Sequence, residues 1–300
     1  MLSIDDFKSV TLEDKKIFDK HYEKYPPIHS DNVFTTIISW MNYSNYHYTV
    51  IDNNLIIYSK INGQIRFRPP SGKRKKDVFD QVIKLAQKQD SDYPFGVIDL
   101  ETKKWLEKTY QKLVFEEHQK YFDYVYLSSN LADLSGSNYS KIRNRLNKFK
   151  RNYSYSTEKI SSENMEDVRK FLDRWCLWKD CESDPLLENE RKAIMYSMSH
   201  FFDLGLSGLV IRLDDNIEAL AVYEEMSPDT AIIHYEKASP DYDGIYKAIN
   251  QETAKKLQND YKFINRESDM GLPGLRKAKM SYRPNHMVEV FHVDKKNLLI

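Results

Sequence analysis

Leu209-Val-Ile-Arg-Leu-Asp-Asp-Asn-Ile-Glu-Ala-Leu-Ala-Val-Tyr-Glu-Glu-Met-Ser-Pro-Asp-Thr-Ala-Ile-Ile-His-Tyr-Glu-Lys-Ala-Ser-Pro-Asp-Tyr-Asp-Gly244 contains three β-branched and aromatic runs separated by turn residues. Asp214-Asp215-Asn216 turns the strand Leu209 to Leu213 into Ala219 to Glu225, and Ser227-Pro-Asp229 turns that strand into Ala231 to Lys237. Ser239 to Gly244 ends the third strand, and Ile245, Ile249, Ala254 and Leu257 then recur at helical spacing. Beyond them the pattern predicts a strand at Tyr261 to Asn265, a short helix at Leu275 to Tyr282 and a last strand at Val288 to Val293. Upstream, a strand at Tyr153 to Lys159 precedes a helix carrying Val168, Phe171, Leu172 and Trp175, and a second helix covers Ala193 to Leu204. The fold class is α/β with mixed sheets.

The first half repeats this order. Thr11-Leu-Glu-Asp14 has capping-box character and opens a first helix. Val33, Phe34, Ile37, Ile38 and Met41 mark a second. Strands at Tyr46 to Ile51, Leu55 to Ile61 and Ile65 to Arg68 are split by Asp52-Asn53-Asn54 and by the hairpin signal Asn62-Gly63. A helix around Val78 to Leu85, a strand Phe95 to Leu100, a helix at Trp105 and strands near Val114 and Tyr121 to Tyr126 follow. Repetition at about 150 residues describes a tandem domain pair, not a solenoid. The expected boundaries are 1–134 for the first domain, 135–152 for a connector helix with the apolar stripe Ile142, Leu146 and Phe149, and 153–300 for the second.

Composition narrows the function. Lys and Arg balance Asp and Glu at 45 each, so no global field marks the chain as a general nucleic-acid or membrane binder, and anion binding has to come from local patches. The two cysteines, Cys176 and Cys181, have no further Cys to complete a zinc set, so no metal site is expected and a reduced, cytoplasmic setting is. The acidic start Met1-Leu-Ser-Ile-Asp-Asp-Phe7 is unlike a secretory signal, and no run reaches the about 18 apolar residues of a membrane span.

The order β-β-β, turn, helix, β, helix, β resembles that of GNAT acyltransferases, which use the turn before the central helix to offer backbone N–H groups to donor phosphates. Here that turn is Ser239 to Gly244; with one Gly in place of the Gly-rich loop typical of acetyl-CoA users, it reads by itself as an ordinary strand-to-helix turn. Ile264-Asn-Arg-Glu-Ser-Asp-Met-Gly-Leu-Pro-Gly-Leu-Arg-Lys-Ala-Lys-Met-Ser-Tyr-Arg-Pro284, with His234-Tyr-Glu-Lys-Ala238, Gly244-Ile-Tyr-Lys-Ala-Ile-Asn250, Phe122-Asp-Tyr-Val-Tyr126 and Leu134-Ser-Gly136, resembles the C-terminal catalytic domain of phosphatidylglycerol lysyltransferases and its stand-alone relatives. That resemblance covers nearly the whole chain. It implies two tandem GNAT-like domains and, as in characterised relatives, transfer of an aminoacyl group from tRNA onto a lipid hydroxyl; with no membrane segment in this chain, the expected acceptor is left open as a lipid headgroup, a peptide or a small molecule. Acyl-CoA is the alternative donor, and a non-catalytic ligand-binding relative the alternative function.

Candidate site residues concentrate in the second half. Strand alternation sends His234 and Glu236 to one face, either to activate an attacking group or as a hydrogen-bonded structural pair. Asp269 joins them as a catalytic candidate able to hold a substrate ammonium, or it pairs with Arg276 or Lys277. Asn265, Glu267, Lys237, Tyr246, Asn250, Lys277 and Tyr282 are candidate substrate contacts. On the connector, Lys141, Arg143, Asn144 and Lys148 lie in a run of bases without an acid and, with Gly244, are the candidate phosphate or tRNA contacts; the bland reading is a solvated helix face. A second basic run, Gly72-Lys-Arg-Lys-Lys76, precedes a helix N-terminus. The expected reaction is direct transfer without a covalent enzyme intermediate.

Overall fold

A computed structural model describes residues 2–298. Its chain divides into two compact units, one running to Asp123 and resuming at Val288, the other spanning Tyr124–Met287. In the first unit lie β1 (Lys8–Ser9), α1 (Lys15–Tyr22), α2 (Phe34–Ser39), α3 (Met41–Ser44), β2 (His47–Ile51), β3 (Asn54–Ile61), β4 (Gln64–Phe67), α4 (Lys76–Gln87), β5 (Phe95–Asp99), α5 (Leu100–Thr109) and β6 (Glu116–Glu117). From β7 (Asp123–Leu127) the chain continues through α6 (Ser128–Asp133), α7 (Ser140–Asn152), β8 (Ser156–Lys159), α8 (Met165–Lys179), α9 (Pro185–Ser199), β9 (Ser207–Leu213), β10 (Asn216–Ser227) and β11 (Thr230–Ala238). It closes with α10 (Ile245–Leu257), β12 (Phe263–Asn265), α11 (Pro273–Ser281), β13 (His286–Val288) and β14 (Val290–Val293).

Each unit is built on one seven-stranded mixed sheet, in the orders β1-β2-β3-β4-β5-β14-β6 and β13-β7-β12-β11-β10-β9-β8. Four strands run antiparallel, a helical crossover places the fifth parallel to the fourth, and the sixth returns antiparallel. These are two GNAT-like units on one plan. The expected boundaries need correction, however. The strand that completes the first sheet, β14, comes from the end of the chain, and its counterpart in the second sheet, β7, precedes the connector helix α7. Boundaries drawn at 134 and 153 therefore assign both strands to the wrong unit. Local pattern predicts that a segment is extended, but not which edge it joins.

The first core gathers Ile56, Phe67, Val82, Phe95, Leu106 and Val293, and the second gathers Tyr126, Phe149, Ala221, Ile249 and Ile264. The apolar stripe of α7 is part of the second core, with Phe149 fully buried. Cys176 and Cys181, expected as free thiols, are joined in a disulfide at the end of α8, their Cα atoms 5.3 Å apart. The basic run before α4 is partly neutralised, Lys75 by Asp52 at 3.3 Å and Lys76 by Asp80 at 2.8 Å.

Candidate active site

Strand β11 departs from regular alternation at the residue that matters most. Val222 pairs with Tyr235 while Tyr223 pairs with Ile233, which leaves His234 as the extra residue of a β-bulge. The expected His234 and Glu236 pair is thereby broken. Glu236 meets Asn250 of α10 and Arg266, whereas His234 is clamped between Glu224, 2.8 Å from Nε2, and Glu267, 3.0 Å from Nδ1. Its side chain is only 2% exposed, and burial opposes its charge, but the two carboxylates outweigh burial and raise its pKa to about 9. At neutral pH both ring nitrogens therefore carry protons and His234 cannot act as the base.

A raised pKa makes this clamp stabilising below the unfolded value of about 6.5, and that contribution is lost as pH rises through about 9. Chemical denaturation across this window is expected to show a loss of up to about 3 kcal/mol. The same loss should be absent from His234→Gln. Equal slopes in the two proteins would show that the imidazole is not held charged.

Beside the clamp lies a second group of polar side chains from β11, α10 and the end of β12. Arg266 binds Glu236 at 2.9 Å, both side chains being nearly buried, and Asn250 donates to the other Glu236 oxygen at 3.2 Å. The guanidinium is 5.1 Å from the Tyr282 ring, and its Nη1 is buried without a hydrogen-bond partner. Lys247, in the first turn of α10, places its ammonium 4.8 Å from the centre of the same ring. Among the described residues no carboxylate lies within ion-pair distance of that ammonium. Burial first, and the charge of Arg266 second, lower the Lys247 pKa. Two cations thus face one buried aromatic ring with more donor capacity than the protein uses.

The loop after β12 is shaped to hold these groups. Asn265 is buried and accepts the Glu267 N–H at 2.7 Å, while Glu267 takes a left-handed conformation at φ 57° that directs its carboxylate to His234. Lys279 of α11 is buried and donates to the carbonyls of Arg266, Glu267 and Ser268. Asp269 is fully buried, with Arg276 bound at 2.7 and 3.1 Å, the Tyr124 hydroxyl at 2.6 Å and the Gly271 N–H at 2.7 Å. Burial would raise its pKa, but these partners lower it. Asp269, expected as a catalytic ammonium holder, is thus an occupied structural anchor. Lys277 is exposed and Lys279, two residues on, turns inward, since that spacing rotates a helical residue to the opposite face. Lys237 is bound to Glu190 at 2.8 Å and lies 4.1 Å from the Trp175 ring centre, and Tyr246 remains 37% exposed.

The family described as phosphatidylglycerol lysyltransferase, C-terminal, matches residues 22–293. The chain belongs to this family. A protein of unknown function from Bacteroides thetaiotaomicron is 30% identical, with a TM-score of 0.89 over 96% of this chain and 98% of that one. Two more distant structures share the fold. The C-terminal domain of a protein described as a lysylphosphatidylglycerol synthetase of Agrobacterium fabrum has 14% identity and a TM-score of 0.67, and L-PGS from Bacillus licheniformis has 16% and 0.61, each comparison covering 94% of this chain and 92% of the other.

Within this lysyltransferase-family chain, the connector is less free to bind phosphate than its charge run implied. Arg143 donates to the carbonyls of Leu134 and Gly136, and Arg145 and Lys148 share Asp243 at 3.2 and 3.3 Å. Lys141 and Asn144 are exposed. Gly244 was expected at a phosphate, yet a Cβ there would lie 2.9 Å from the Arg145 carbonyl and from Phe149 Cβ, so its small size admits α7. Arg266, Lys247 and Lys279 were not singled out from the sequence, although all three lie within the stretches that carry the family resemblance.

Proposed function

We propose that the second unit transfers an aminoacyl group from aminoacyl-tRNA directly to a hydroxyl or amine acceptor, with Arg266 and Lys247 as the groups that stabilise the developing charge. The observation that carries this reading is the buried, unpartnered Nη1 of Arg266 beside the unpaired ammonium of Lys247 over Tyr282. Attack of the acceptor oxygen or nitrogen on the ester carbonyl forms the new bond and puts negative charge on the carbonyl oxygen. Collapse breaks the ester C–O bond, and the ribose oxygen leaves with a proton while the acceptor loses one. Fixed positive donors in a dry site favour both stages. Glu236 holds Arg266 in place, and Glu267, about a third exposed, is the carboxylate positioned to meet a substrate ammonium. Membership of the family supports this donor, which also implies a cytoplasmic location.

Transfer from a panel of charged tRNAs, with acetyl-CoA as the competing donor, tests the reading. Lys247→Met should fold normally, because it breaks no ion pair, yet lower the transfer rate about 100- to 1,000-fold. Exclusive binding of acetyl-CoA, or full activity of Lys247→Met, would overturn it.

A further inference from the structure

The first unit carries a group of side chains that aminoacyl transfer does not use. Glu116 of β6 is the direct cross-strand partner of His292 on β14, so the two side chains share a face, and Asp294 follows two residues after His292 on that same face. His292 Nε2 is 3.7 Å from Glu116 Oε2 and 3.5 Å from Asp294 Oδ1. Opposite His292, strand β5 bulges at Gly96 and Val97, the latter at φ 55°.

These distances are too long for hydrogen bonds, whose usual range is about 2.7–3.2 Å. They do suit the edges of a four-coordinate polyhedron, which are about 3.4 Å for bonds of about 2.1 Å. One donor atom from each of the three residues lies within 4.8 Å of the others. The second observation is burial. The His292 side chain is 8% exposed, and neither of its ring nitrogens has a hydrogen-bond partner; Asp294 Oδ1 is likewise buried and unpartnered. An imidazole and a carboxylate oxygen shut away from water without partners are costly unless something binds them.

We propose that Glu116, His292 and Asp294 bind a divalent transition-metal cation of the zinc class. One nitrogen and two carboxylate oxygens suit such an ion and leave a position for water. The ring of His292 is fixed edge-on to Tyr93, centroids 4.5 Å apart, and lies equally close to His118. The competing cations are Lys296, whose ammonium is 3.6 Å from Asp294 Oδ2, the oxygen the proposed site leaves free, and Arg66 and Lys120, whose positive charge reaches His292. Bound metal would tie the C-terminal strand β14 to the edge strand β6. This departs from the expectation, drawn from cysteine content, that the chain has no metal site.

The test uses the full, untagged chain after treatment with a chelator. Calorimetric titration with Zn²⁺ alone should give close to one ion per chain and a higher melting temperature. Glu116→Gln alters a half-exposed edge residue and should fold normally, weakening zinc at least about tenfold, while His292→Gln should abolish the site. No zinc uptake, or uptake that both variants leave unchanged, overturns the proposal.

Discussion

Glu236→Ala is expected to remove about 3–5 kcal/mol of folding stability, a large part of what a domain of this size possesses. The side chains of Glu236 and Arg266 are 12% and 13% exposed, and the guanidinium already has its Nη1, with two N–H donors, without an acceptor. Deleting the carboxylate leaves a charge in the interior that faces the Tyr126 and Tyr282 rings in place of an anion. Attraction across a buried ion pair mainly offsets the cost of desolvation, so one partner alone is worse than neither. The double variant Glu236→Ala/Arg266→Met should therefore recover at least half of the loss in guanidinium denaturation. A single variant within about 1 kcal/mol of the parent would show that the pair is solvated. Loss of activity in Glu236→Ala thus cannot be assigned to chemistry, which is why Lys247→Met is the cleaner probe.

Gly244→Ala is expected to cost about 3 kcal/mol or more. The residue sits at φ 100°, where a side chain adds backbone strain of about 1–3 kcal/mol. The new Cβ would also meet the Arg145 carbonyl oxygen and Phe149 Cβ, both at 2.9 Å, and overpacking of this kind adds about 1–3 kcal/mol. Neither neighbour can swing away, since one is backbone and the other is anchored in the core. A lowered melting temperature checks the prediction. An unchanged one would mean that α7 and α10 are not held as closely as this. The result also separates two meanings of a glycine in this turn, because a phosphate site would lose ligand affinity without losing stability.

Much of the architecture was legible because it rests on local chemistry. Asn62-Gly63 and Asp214-Asp215-Asn216 mark hairpins through residues that tolerate positive φ, and Asn62, Asp214 and Asp215 all adopt it. The stripe Ile142, Leu146 and Phe149 predicts a packed connector helix, and all three are buried. The site was legible in composition more than in pairing. Of the candidates, Asn250 meets Glu236 and Tyr282 lies against Arg266, the cation that binds Glu236, whereas Glu267 meets His234, Asp269 turns to Arg276 and Lys277 faces solvent in place of Lys279. Helix phase separates those two lysines: residues two apart point about 200° from each other, so only one of them can face inward.

By itself the sequence determined the two-fold repetition of elements, their types, and the family, since each follows from periodicity, turn residues or a dense motif read along the chain. Only the tertiary structure decided which carboxylates hold His234, which cation meets Glu236, and which sheet receives β7 and β14. A one-residue bulge reverses every later side chain of a strand, and a strand's partner is chosen by long-range pairing that leaves no local mark.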